Sequence, residues 1–293
     1  MIAPLDSDLL RRLETLRLAV RSVRWGSRLG GRYTISRRGS SIEFSDYTPY
    51  TPGDDIRAID WKLYARLDRL FIKTYKEDIE LSVEIVIDAT ASMALPAPAK
   101  FERASFVALA LAYIALADGH QVRVSWMKPG PLLTSAWHAQ RAALTRLTEL
   151  AAATACAGRI TMSEWLQRSL PSLRMRGGQA LVISDWMHRP SDCFQALYLL
   201  RQRHLDVKAI QVLTPEELQP SRLFGRGVVV DSETGVTHEL AYSPSELERA
   251  VLQHNEQLVR FCKRHGIPFV QHRLDERPEQ FLTATLPGRG ILE

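Results

Sequence analysis

The chain has 293 residues, 45% hydrophobic, 24% charged and 8% aromatic, an ordinary soluble globular composition with enough material for one large core or two smaller ones. Its longest uncharged apolar stretch, 104–117, falls short of the roughly 20 residues a bilayer-spanning helix needs, and no charged-apolar-small pattern opens the chain, so a spanning or secreted protein is not expected. The net charge of +5 invites a nucleic-acid reading, but it is concentrated: residues 1–40 hold nine Arg against Asp6, Asp8 and Glu14, and the rest is nearly neutral.

In chain order, that basic leader carries Leu9, Leu13, Leu16, Val20 and Val23 at helical spacing, which predicts an amphipathic helix within 1–30. It is expected to pack on its own domain, with contact to a membrane surface or a partner as the alternative. Residues 31–80 change character. Short alternating stretches at 41–44 and 70–75, with the turn Thr51-Pro52-Gly53-Asp54-Asp55, predict a small β-rich subdomain. Trp61 is expected to be a core anchor between this subdomain and the sheet that follows, rather than a ligand platform. From residue 81 to 293, strands near 83–87, 122–126, 180–184, 207–212 and 269–271 alternate with helices near 101–117, 138–153, 162–173, 192–204 and 244–265. This alternation predicts an α/β domain with a mostly parallel sheet and helices on both faces, interrupted by a β-hairpin near 228–240.

Ligands of an open parallel sheet gather at the carboxyl ends of its strands, so residues just past strand ends are the site candidates. Asp88, Thr90 and Ser92 follow the first strand on alternate positions, and Asp185 follows the strand at 180–184. A carboxylate with two hydroxyls and a second carboxylate supplies oxygens suited to magnesium, which keeps several waters in its octahedron. The competing reading has Asp88 and Ser92 capping the next helix. Asp54, Asp55 and Asp60 are expected to bond nearby backbone, and Arg57 and Arg66 to pair with acids. Cys156, Cys193 and Cys262 lack disulfide or zinc spacing, which fits a reducing cytosol, and no histidine stands at a ligand spacing. No P-loop, Gly-x-Ser-x-Gly or Gly-x-Gly-x-x-Gly supports an enzyme of those classes.

Asp88-x-Thr90-x-Ser92 resembles the Asp-x-Ser-x-Ser of the metal-ion-dependent adhesion site of von Willebrand factor A-like domains. That resemblance implies a loop threonine, matched by Thr161 in Gly158-Arg159-Ile160-Thr161, and a later aspartate, matched by Asp185 in Ser184-Asp185-Trp186 where Thr-Asp-Gly is commoner. A longer signature covers almost the whole chain. Gly39-Ser40-Ser41-Ile42-Glu43-Phe44, then Tyr50-Thr51-Pro52-Gly53-Asp54-Asp55-Ile56-Arg57-Ala58-Ile59-Asp60-Trp61 and Ala65-Arg66, resembles domain-of-unknown-function family 58. The resemblance implies a bacterial or archaeal protein that works with a MoxR-type AAA+ ATPase in chaperone-like assembly or metal insertion. Many relatives carry N-terminal transmembrane helices, which this sequence does not show. The function expected is a noncatalytic, magnesium-dependent adaptor in the cytoplasm, with peripheral membrane contact through the N-terminal helix as an alternative. The alternatives are a metal-assisted phosphohydrolase and a metal-free scaffold.

Overall fold

The computed structural model describes residues 4–20, 42–51, 56–77, 81–95, 99–171, 178–219, 228–230, 237–239 and 244–293. The chain divides into two units, Met1–Arg21 with Leu81–Glu293, and Ser22–Glu80.

In the larger unit, α1 spans Ser7–Leu13, with Asp6 capping it by accepting the Leu9 N–H. The helix is shorter than the leader's periodicity predicts. After Leu13 the backbone extends, Leu18 bridges antiparallel to Leu292, and the Arg17 and Glu293 backbones exchange hydrogen bonds. Val20 is half exposed, and Val23 lies outside the described residues. Leu9, Leu13 and Leu18 are buried in the core, so the described leader packs on its own unit.

The smaller unit holds β1 (Ile42–Pro49) and α2 (Trp61–Leu67), followed by β2 (Phe71–Glu77), which pairs antiparallel with β1. Asp60 caps α2 by accepting the Lys62 and Leu63 N–H groups at 2.9 and 3.1 Å, and it also accepts the Tyr47 hydroxyl. That matches the expected backbone role of this carboxylate. The expected core role of Trp61 is corrected: as the first residue of this short helix it is 60% exposed and meets Tyr64 edge-on at 6.1 Å. The turn residues 52–55 lie outside the described residues.

Back in the larger unit, β3 (Ser82–Asp88), β4 (Gln121–Met127), β5 (Leu133–Thr134), β6 (Gln179–Ser184), β7 (Asp206–Leu213) and β10 (Phe269–Arg273) form one sheet in the order β10-β7-β6-β3-β4-β5. All its pairings are parallel except that of β5. Side chains alternate between faces along a strand, and two cores result. Val83, Ile85, Ile87, Leu181, Ile183, Ile210 and Val212 pack with α1, α3 (Ala99–Ala117) and α4 (Ala143–Ala153). Val86, Ala180, Val182, Val207 and Ala209 pack with α5 (Met162–Ser169), α6 (Pro190–Gln202) and α8 (Pro244–Arg264). Both sheet faces are therefore covered, and α3 is buried nearly all round, as its continuous apolar run requires. The α/β class is borne out. The late strands β8 (Val228–Val230) and β9 (Thr237–Glu239) pair antiparallel, while their connecting turn lies outside the described residues. Between β7 and β8 a short helix, α7 (Pro215–Leu218), follows the sheet edge.

Candidate functional site

The parallel pairing of β3 with β6, with Ile87 opposite Ile183, sets the two strand ends side by side. Asp88 is buried just past the last paired position. Its Oδ1 accepts the Thr90 N–H at 2.9 Å and the Thr90 hydroxyl at 2.7 Å, and its Oδ2 accepts the Ser184 hydroxyl at 2.6 Å. The Thr90 and Ser92 hydroxyl oxygens stand 3.2 Å apart. These three oxygen donors thus converge at the carboxyl edge of the sheet. Beside the capping alternative, Asp88 accepts the Thr90 N–H just before the single 3-10 turn Ala91–Ala94, to which Thr90 makes no side-chain cap bond.

The loop carrying Gly158 lies beside this turn, since Ala91 N–H donates to the Gly158 carbonyl and Ala157 N–H to the Ala89 carbonyl. Thr161, three residues on, caps α5 by accepting the Glu164 N–H at 3.3 Å. Its loop is neighbour to the Asp88 turn, and its hydroxyl serves the helix.

Asp185 has a different environment from Asp88. One carboxylate oxygen accepts the Lys100 ammonium at 2.9 Å and the other accepts the Met187 N–H at 3.1 Å. Lys100, 1% exposed at the start of α3, gives a second hydrogen bond to Glu217. Glu217 is held by a reciprocal capping box: its carboxylate accepts the Thr214 N–H while the Thr214 hydroxyl accepts the Glu217 N–H. Burial disfavours every charge here, but the pairing decides the outcome at two of the three groups. Burial pulls the Lys100 ammonium down, yet Asp185 and Glu217 outweigh it and hold the proton above the ordinary lysine range. Burial pushes Asp185 up, yet Lys100 keeps it below the usual carboxylate range. For Glu217 burial prevails, and its carboxyl is raised.

His188 is the other cation of the edge, with its Nε2 3.6 Å from Asp88 Oδ2. Burial lowers its pKa, but the nearby Asp88 carboxylate and the charges of Asp185 and Asp192 raise it to about 9. Trp186 follows Asp185 and packs into the core. It is fully buried, takes a left-handed φ of 56°, and donates its indole N–H to the Ile210 carbonyl. A bulky residue rarely adopts that conformation, which gives a physical reason for the glycine commoner at this place.

Asp88, Thr90 and Ser92 fit a hard divalent cation as three converging oxygens, one of them charged. Asp185 stands at the same edge with its oxygens committed to Lys100 and the backbone. Among the described residues no group of three or more His, Cys, Asp or Glu is arranged to hold a metal, so any cation here relies on hydroxyls. Lys100, His188 and Glu217 carry no local sequence signal that marks them for this edge, since their partners are distant in the chain.

A buried carboxylate and hydroxyl cluster thus stands at the carboxyl edge of a parallel α/β sheet covered on both faces, the place where ligands of such sheets gather. More narrowly, residues 46–257 match the family described as "Protein of unknown function DUF58", and the chain belongs to that family. It is 28% identical over 281 residues to uncharacterized proteins of Mycobacterium tuberculosis and Mycobacterium bovis, covering 92% of this chain and 86% of each relative. Among solved structures it is similar to BatB, a conserved hypothetical protein from Bacteroides thetaiotaomicron, at 13% identity over 71% of this chain and 98% of that one, with a TM-score of 0.41. It is also similar to a von Willebrand factor type A protein from Catenulispora acidiphila, at 16% identity over 64% and 43% of the two chains, with a TM-score of 0.32. The fold described above rests on strand order and register rather than on these likenesses. No described helix is long and apolar enough to cross a membrane.

Proposed function

We propose that this chain is a noncatalytic interaction adaptor that binds a protein partner at the carboxyl edge of its sheet through a magnesium ion. The observation that carries the reading is the convergence of Asp88, Thr90 and Ser92 oxygens beside the end of β6. Asp88 supplies the charged ligand, and Thr90 and Ser92 supply neutral ones. Ser184 orients Asp88 from the neighbouring strand. A magnesium ion there keeps open positions for a carboxylate of the partner. The partner we propose is the one the sequence resemblance implies, a MoxR-type AAA+ ATPase, in chaperone-like assembly or metal insertion.

The test is co-elution of the purified chain with a purified MoxR-type ATPase, with magnesium and with chelator. A complex present in magnesium and lost in chelator is expected. Because the ATPase needs magnesium itself, Asp88→Ala in magnesium is the deciding arm: an undiminished complex with that variant refutes the reading.

A further inference from the structure

We infer that Lys100 is a built-in competitor of the divalent cation, holding Asp185 away from it and setting how strongly the edge binds. The inference rests on the magnesium reading above and adds a regulating residue to it.

A buried lysine needs compensation, and Lys100 receives it from two carboxylates on separate elements, Asp185 past β6 and Glu217 on α7. Its side chain is 2% exposed, so water does not share the charge. The ammonium has three donors and no acceptor, and it occupies the Asp185 oxygen that would otherwise be available to a cation. A second positive charge arriving next to an ammonium in a poorly screened interior is repelled. Asp185 therefore serves one cation at a time. To free it, Lys100 must give up Asp185 and rely on its existing bond to Glu217, whose position is fixed by the Thr214 capping box. The geometry thus makes α7 the element that retains the ammonium.

The experiment is a magnesium titration of the full chain at constant ionic strength, read as melting temperature. Lys100→Met leaves Asp185 and Glu217 without their cation, and its apparent magnesium affinity is expected to be at least about tenfold tighter than wild type. Lys100→Gln keeps a hydrogen-bond donor for Asp185 without the charge, folds more readily, and is expected to shift in the same direction. Lys128→Met removes a charge from a half-buried lysine that bonds the Ala155 carbonyl. It is expected to change the affinity by no more than about twofold, and its small effect should disappear in high salt while that of Lys100 persists.

Wild type responding to magnesium with neither Lys100 variant binding more tightly refutes the competitor role and leaves the magnesium reading standing. Silence in wild type with a response in the Lys100 variants supports the competitor role and refutes magnesium binding by the native chain. Silence in all three refutes both.

Discussion

Acidification should withdraw the stabilisation contributed by His272 in a window set by its surroundings. The ring lies fully buried at the carboxyl end of β10, stacked on Phe281 with centroids 4.0 Å apart. Arg103 Nη1 stands 3.1 Å from Nε2, and Glu276 Oε2 stands 3.2 Å from Nδ1. Arg103 can only donate, so Nε2 must accept and Nδ1–H donates to Glu276. Protonating Nε2 turns that hydrogen bond into two facing donors. Burial is the largest cause of the low pKa, with the Arg103 charge adding to it and Glu276 opposing it, and together they lower it from 6.5 to about 4. For a depressed histidine the stabilisation is complete above the unfolded value and is lost as pH falls from about 6.5 through about 4. The size of the shift corresponds to about 3 kcal/mol. The assay is urea unfolding of wild type and His272→Gln between pH 7.5 and 4. The variant keeps a donor and an acceptor but cannot titrate, so it should start less stable and lose about 3 kcal/mol less across the window. Parallel loss in the two proteins would refute the neutral buried ring.

Glu84, buried on β3 and raised to about 7 chiefly by burial against the opposing pull of Arg123 and Ser125, should act with the opposite sign. Its stabilisation is full below about 4.5 and falls away by about 3 kcal/mol as pH rises through 7, so Glu84→Gln should remove that loss in the same urea series. In a thermal melt, Asp88→Ala should abolish the magnesium response, which for wild type is about 2.7 kcal/mol at a hundredfold excess over Kd, whereas Thr90→Ser should keep it. Leu13→Ala should cost about 2–5 kcal/mol by chemical denaturation, because this leader residue is fully buried in the core beneath α3. An effect below about 0.5 kcal/mol would mean that the leader does not belong to the domain.

The two titrations overlap with opposite signs, so wild type alone should look nearly flat between pH 4.5 and 6.5 even though each group contributes strongly. Neither was visible in the sequence. Glu84 interrupts an apolar strand and reads as a solvated position, and it is buried only because Arg123 and Ser125 on β4 face it across the parallel ladder. What was legible follows from local rules. Apolar runs alternating with helical patterns gave the covered parallel sheet, and two such runs ending in Asp gave adjacent strand ends, because β3 and β6 pair directly. The leader shows where periodicity misleads: Leu16 and Val20 continue the stripe, but strand-like pairing of 17–19 with the C-terminal residues wins after Leu13.

The candidate site divides in the same way. Asp88, Thr90 and Ser92 are neighbours in sequence, so their convergence could be read from spacing. The partners of Lys100 lie 85 and 117 residues away, and only the fold brings them together. A lysine at the head of a helix ordinarily reaches into solvent. Here α3 is sunk into the core along its whole length, which leaves its first turn beneath the ends of β6 and β7 rather than at the surface. Once buried there, the ammonium has to be matched by carboxylates, and Asp185 is the most deeply buried of those within reach. The pairing of Lys100 with Asp185 therefore follows from the burial of α3, and any cation recruited by Asp88 meets an edge whose second carboxylate is already engaged.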